Sequence, residues 1–174
     1  YTSEFYKQNN TFDLAVFKEM LAKQDLTPLE FEIWTHKFKE YEIYENERLR
    51  AGFRAIECEK EMQSEFCGVQ IKGFIDRIDA DASGDVLILD YKTGEANVNS
   101  LQLAFYEALY GREVRSAYYA LKNEPSLVSS KKSVEDLNGE IEKLKGINKT
   151  KINFERKSGA CTFCEYATLC RREL

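Results

Sequence analysis

Asp90 and Lys92 stand two residues apart at the end of an apolar run, Val86-Leu87-Ile88-Leu89. In a strand, residues two apart face the same side, so this carboxylate and ammonium are neighbours while Tyr91 points away. Such a pair can hold a metal ion and manage a water or phosphate oxygen beside it. It can equally be an ordinary salt pair at a strand end. A second acidic stretch lies upstream, Ile71-Lys72-Gly73-Phe74-Ile75-Asp76-Arg77-Ile78-Asp79. Between the two, Asp81-Ala82-Ser83-Gly84-Asp85 has the composition of a turn, so the two runs read as a hairpin. Asp76 and Asp79 differ by three and must face opposite sides, so at most one joins Asp90 and Lys92. Two carboxylates and a lysine on one face make an oxygen-ligand site suited to Mg²⁺ or Mn²⁺.

Further chemistry-bearing residues lie on both sides. Gln102 and Tyr106 are four apart on an expected helix, 97–110, and so share a face. Glu57, Glu59 and Glu61 alternate in an expected first strand, 53–62, with Glu59 a candidate metal ligand and a solvated edge the plainer alternative. His36, the only histidine, lies in an expected helix. Cys161, Cys164 and Cys170 place three thiols within ten residues, and a CxxC turn lets two sulfurs reach one metal. Three readings of that cluster stay open. It holds an iron–sulfur cluster with a fourth cysteine from elsewhere, or zinc with Cys58, Cys67 or His36, or it carries no metal. Without metal, the last residues are expected to be poorly ordered.

The segments Gly73-Phe74-Ile75-Asp76-Arg77-Ile78-Asp79, Asp90-Tyr91-Lys92-Thr93-Gly94, Gln102-Leu103-Ala104-Phe105-Tyr106 and the C-terminal cysteines occur in one order. Together they resemble the PD-(D/E)xK nuclease superfamily. They are closest to the branch of RecB and AddB helicase–nucleases and CRISPR-associated spacer-acquisition nucleases, which is marked by G-x-x-D-R-x-D, D-Y-K-T-G and Q-x-x-x-Y. The resemblance implies an α/β, restriction-endonuclease-like fold, with a central mixed β-sheet flanked by helices. It implies a Mg²⁺- (or Mn²⁺-) dependent deoxyribonuclease, an exonuclease module of a helicase–nuclease in double-strand-break repair. Asp76, Asp90 and the backbone carbonyl of Tyr91 would hold the metal, and Asp76, Asp90, Lys92, Gln102 and Tyr106 would form the catalytic set. Cys161, Cys164 and Cys170 are similar to the 4Fe-4S staple of the AddB kind, expected in the full-length protein and not in this fragment. DNA, single-stranded or at strand ends, and a helicase subunit would be the partners, in the cytoplasm. Relatives carry a further metal-binding histidine in a G-x-x-x-H setting that His36 lacks, so that residue is expected upstream of Tyr1. The rival functions are a nuclease-silent scaffold that binds DNA and docks a helicase subunit, and a metal-binding domain acting on a non-nucleic phosphate.

The elements that must position these residues follow from the pattern. Apolar positions from Phe12 to Leu21 suggest a short helix over 11–23. Thr27-Pro28-Leu29-Glu30 is a capping box with proline at the first helical position, opening a long helix to Arg50. Phe31, Trp34, Phe38, Tyr41 and Glu45 form its inward stripe, while Glu40, Glu42, Glu47, Arg48 and Arg50, with Glu45 again, read as a solvated charged face. Leu101, Ala104, Phe105 and Ala108 are the expected sheet-packing face of the 97–110 helix. A fourth strand over 114–121 makes a parallel crossover with the Asp90 strand. A last helix over 133–145 buries Val134, Leu137, Ile141 and Leu144. The expected organisation is a single domain: a helical segment 1–52, a nuclease core 53–146 and a cysteine segment 147–174.

The chain has 174 residues, enough for one domain, and 43% of them are hydrophobic. No apolar run is long enough to cross a bilayer, so no membrane partner is expected. No charged-then-apolar leader occurs, and the start at Tyr1 suggests a piece of something longer. A net charge of −5 is unusual for a nucleic-acid binder. Its distribution is uneven: residues 61–121 carry 5 basic and 10 acidic groups, whereas 122–174 carry 11 and 8. The acidic middle coincides with the candidate ligands, where a bound cation would offset it.

Overall fold

The computed structural model describes residues 12–147. By contacts the chain divides into two units, 1–142 and 143–174. The Cys161, Cys164 and Cys170 cluster lies outside the described residues. Helix α1 (Leu14–Leu21) and helix α2 (Pro28–Arg50) precede strands β1 (Arg54–Phe66), β2 (Val69–Ala80) and β3 (Val86–Lys92). Helix α3 (Gln102–Tyr110), strands β4 (Arg115–Ala120) and β5 (Ser126–Val128), and helix α4 (Val134–Lys145) follow. The strands form one mixed sheet in the order β1-β2-β3-β4-β5. Among the described residues, only the β3–β4 pair is parallel, joined through α3. The fold is α/β, with helices against both faces of the sheet.

Each element has a local cause. α2 begins with the expected capping box, Thr27 Oγ1 accepting from the Glu30 amide while the Glu30 carboxylate accepts from the Thr27 amide. The β2–β3 turn is closed by Asp81, whose Oδ1 accepts from the amides of Ser83 and Asp85. On one face, Ile75, Ile78, Ile88 and Tyr118 pack with Leu103, Ala104 and Leu109 of α3 and with Leu137 and Ile141 of α4. On the other, Leu87, Leu89, Ala117 and Tyr119 pack with Phe17 of α1 and Phe38 and Tyr41 of α2. β3 is therefore covered on both sides, and Ile88 and Leu89 are fully buried. Burying side chains of that size stabilises by about 1.5–3 kcal/mol each.

Several sequence expectations are corrected. β1 runs to Phe66 rather than ending near residue 62, and a fifth strand of three residues closes the sheet edge. α1 is shorter than 11–23, and α3 begins at Gln102 rather than at 97 because the preceding residues form turns. In α4, Leu144 is 65% exposed and leaves the apolar stripe to Leu137 and Ile141. Glu45 and Arg48, expected also on a solvated face, are buried. They lie one and two turns on from Tyr41 and face the sheet, where Glu45 meets Arg77 and Arg48 meets Asp79.

Candidate active site

A phase change in β1 and β2 aims the first carboxylate. Ile71 and Ile75 belong to the α3-side core, as does Ile78, although 75 and 78 differ by an odd number. Arg77 and Asp79 instead meet Tyr41, Glu45 and Arg48 of α2. The pleat therefore loses its alternation between Ile75 and Arg77. β1 breaks in step, with Cys58 in the α2-side core and Met62 against the α3-side core. Between the ladder pairs Cys58↔Arg77 and Lys60↔Ile75 lie Glu59 and Asp76, facing each other, and Glu59 has φ +50°. A left-handed residue inside a strand turns its neighbours over, and for a non-glycine it costs about 1–2 kcal/mol. The result is that Asp76 turns to the side of α3. The regular alternation expected for Glu57, Glu59 and Glu61 does not hold: Glu57 pairs with Lys60, and Glu61 with Lys72.

The second carboxylate sits where β3 leaves β2. The β2–β3 ladder ends at Arg77↔Leu89, whereas β3 stays paired to β4 as far as Lys92↔Ala120. Past that point the Tyr91 amide, which a longer ladder would have paired, donates to Asp76 Oδ2 at 3.0 Å. Asp90 is 2% exposed. Its Oδ1 accepts from Gln102 Nε2 at 2.7 Å and from the Tyr106 hydroxyl at 3.2 Å. Its Oδ2 lies 2.6 Å from Lys92 Nζ as an ion pair, yet receives no well-directed hydrogen bond. Lys92 Nζ also donates to Gln102 Oε1 at 2.9 Å. The Gln102 amide is thus oriented by charge, oxygen to the ammonium and nitrogen to the carboxylate.

α3 delivers Gln102 and Tyr106 because Gly73 lets it approach β2. A Cβ at Gly73 would lie 3.1 Å from Phe105 Cε1 and 3.3 Å from Leu109 Cδ2. Tyr106 is buried. Burial, with Asp90 and Asp76 nearby, pushes its phenol well above the usual range, so it remains a donor to Asp90. Burial likewise raises the Asp76 carboxyl, against the Tyr91 amide that lowers it, and the charges of Asp90 and Glu59 add to the rise. Four of the expected side chains, Asp90, Lys92, Gln102 and Tyr106, form one bonded cluster, and Asp76 joins it through Tyr91 and through charge. His36 is exposed on α2. Cys58 and Cys67 are half-buried.

Among the described residues, no three His, Cys, Asp or Glu side chains converge as a ready-made metal site. The donors that do converge are carboxylate oxygens with a shortage of positive partners. Asp90 Oδ2 is buried with one poorly directed cation, and Asp76 is crowded by two other acids. That set fits a hard divalent ion that retains several waters. The tyrosine carbonyl could add a third oxygen, since the N–H and C=O of one strand residue face the same edge.

The opposite face holds what sequence reasoning missed. Arg77 Nη1 donates to Glu45 at 2.9 Å, to the Tyr91 hydroxyl at 3.1 Å and to the Tyr41 hydroxyl at 3.3 Å. Asp79 accepts from Arg77 Nε at 2.6 Å and from Arg48 Nη2 at 2.5 Å. Arg77 and Asp79 were visible within the G-x-x-D-R-x-D pattern, and Glu45 within the α2 stripe. Their association was not, because it depends on the phase break.

The family model of the PD-(D/E)XK nuclease superfamily matches residues 6–171, nearly the whole chain. The chain belongs to that superfamily, a group of hydrolytic nucleases that typically use divalent metals such as Mg²⁺. Among solved structures, the chain is similar to the crystal structure of SSO0001, at 17% identity and a TM-score of 0.41, covering 90% of this chain and 77% of that one. It is also similar to a repair endonuclease from Pyrococcus abyssi, at 20% identity and a TM-score of 0.31, covering 67% and 45%. No curated protein matches the chain. Among the described residues, no helix is long and apolar enough to cross a membrane.

Proposed function

We propose that the chain is the nuclease module of a DNA-processing enzyme, hydrolysing phosphodiester bonds with Mg²⁺ or Mn²⁺. The observation that supports this most is the convergence of Asp76, Asp90, Lys92, Gln102 and Tyr106 at one strand end. A divalent ion on Asp76, Asp90 and the Tyr91 carbonyl would supply Lewis-acid polarisation of a phosphoryl oxygen and lower the pKa of an attacking water. Tyr106 and Gln102 fix the Asp90 carboxylate through one oxygen and leave the other for the cation. Lys92, partly exposed, presents its ammonium to the charge that develops on the phosphate oxygens. Glu59, whose charge acts on Asp76, would be the candidate for a further carboxylate at the ion.

The finer reading is an exonuclease acting on single strands or strand ends, of the RecB/AddB kind, joined to a cytoplasmic helicase subunit in double-strand-break repair. It rests on the Asp90-Tyr91-Lys92-Thr93-Gly94 and Gln102–Tyr106 motifs. The C-terminal Cys161, Cys164 and Cys170 would hold a 4Fe-4S cluster in the full-length protein. The domain division proposed is a helical lead-in to residue 52, a core to 146 and the cysteine segment beyond. Digestion of end-labelled single-stranded DNA by the full-length protein with Mg²⁺ tests the activity. The expected result is loss of cutting in Asp90→Ala with an unchanged circular dichroism spectrum, and an Asp90→Ala protein that still cuts refutes it. The rival scaffold reading expects DNA binding with no cutting in either protein.

A further inference from the structure

We infer that Arg77 is a positioning residue for the metal site, acting from the far face of the sheet through the phenol of Tyr91. The inference rests on the metal site proposed above. Two adjacent residues of β2 grip the two ends of one residue of β3. Asp76 accepts the Tyr91 amide on the α3 side at 3.0 Å. Arg77 donates to the Tyr91 hydroxyl on the α2 side at 3.1 Å. Both contacts fall just beyond Arg77↔Leu89, the last rung between the strands, so side chains replace the missing ladder.

Arg77 can serve as an anchor because it is itself held. It is 1% exposed and bound to Glu45 and to Asp79. Asp79 is in turn bound by Arg48. The phenol is further located by Tyr41, hydroxyl to hydroxyl at 3.2 Å, and by the Tyr119 ring, stacked at 5.4 Å and 24°. The segment so fixed carries Asp90 and Lys92 on either side of Tyr91. It also sets the distance between Asp90 and Asp76, the two carboxylates that must share one ion. A strand end free to swing would have to be ordered at each binding event, and outer contacts that prevent this commonly carry part of a site's metal affinity.

The test is calorimetric titration of Mn²⁺ into the metal-free full-length protein without DNA, comparing wild type, Tyr91→Phe, Arg77→Lys and Ile141→Val. Tyr91→Phe keeps the ring and its stacking and removes only the hydroxyl. Ile141→Val is a core change on α4 of similar expected cost to folding, so it controls for stability alone. The expected result is a Mn²⁺ affinity about 10-fold weaker in Tyr91→Phe and unchanged in Ile141→Val. Arg77→Lys should fall at least as far; if it does not fold, Tyr91→Phe carries the test. Equal affinity in wild type and Tyr91→Phe overturns the clamp while leaving the metal site intact. A wild type that binds no Mn²⁺ overturns the metal site and the clamp with it.

Discussion

Asp79→Ala should be among the most destabilising single changes in the described core, although Asp79 touches none of the proposed catalytic side chains. Asp79 is fully buried and accepts from Arg77 Nε at 2.6 Å, Arg77 Nη2 at 2.9 Å and Arg48 Nη2 at 2.5 Å. With Glu45 it balances the two guanidiniums, two charges of each sign. Its removal leaves a net positive charge in a site walled by Tyr41, Tyr91 and Tyr119. Breaking one partner of a buried ionic set costs about 3–5 kcal/mol, whereas exposed pairs are worth about 0–1 kcal/mol. For a domain of this size that corresponds to a fall in Tm of about 6–20 °C. The assay is urea or thermal unfolding followed by circular dichroism, with Glu57→Ala as the exposed control, since its partner Lys60 is 45% exposed. A second arm sharpens the result: Arg77→Met with Asp79→Leu removes one charge of each sign and should cost less than Asp79→Ala alone. An Asp79→Ala loss below about 1 kcal/mol, or a double variant worse than the single, refutes the reasoning.

Other outcomes follow from the same geometry. Gly73→Ala places a methyl against Phe105 and Leu109, and should cost about 1–3 kcal/mol in urea unfolding while lowering cleavage more than Mn²⁺ affinity, because α3 is displaced. Glu59→Gly relieves the left-handed strain at φ +50° and should stabilise, or at least not destabilise, the fold; a loss above 1 kcal/mol on unfolding would contradict the assigned strain. Asp76 has a raised carboxyl pKa, so its contribution to stability is present below its unfolded pKa and is lost as pH rises through the folded value. Asp76→Asn keeps an acceptor for the Tyr91 amide and does not titrate. The Tm of the metal-free Asn variant should therefore gain on wild type as pH rises from about 3 to 8, and Mg²⁺ should reverse the order at pH 8 by stabilising wild type alone.

Much of this site was legible in the sequence because strand and helix periods are fixed. Asp90, Lys92, Gln102 and Tyr106 were set on common faces by spacings of two and four, and the structure joins them by hydrogen bonds. The hairpin and the capping box carried local signals that nothing else in the fold opposes. The phase break at Glu59 and Asp76 carried none, because left-handed conformation in a glutamate is imposed by the pairing of two strands. Burial of Arg48 was hidden for a related reason, and Glu45 read both as part of the inward stripe and as part of the charged face. A charged residue near an aromatic stripe reads as solvated until its partners, Arg77 and Asp79, are turned toward it. Short β5 lacked the length to show a pattern.

In the proposed site, Asp76 and Asp90 share one divalent ion beside Lys92. Calorimetric titration of Mn²⁺ into wild type, Asp76→Asn and Asp90→Asn tests it most directly. The prediction is a binding isotherm in wild type that is lost in both variants, with each variant still folded by circular dichroism. An isotherm that survives unchanged in either Asn variant would contradict the claim.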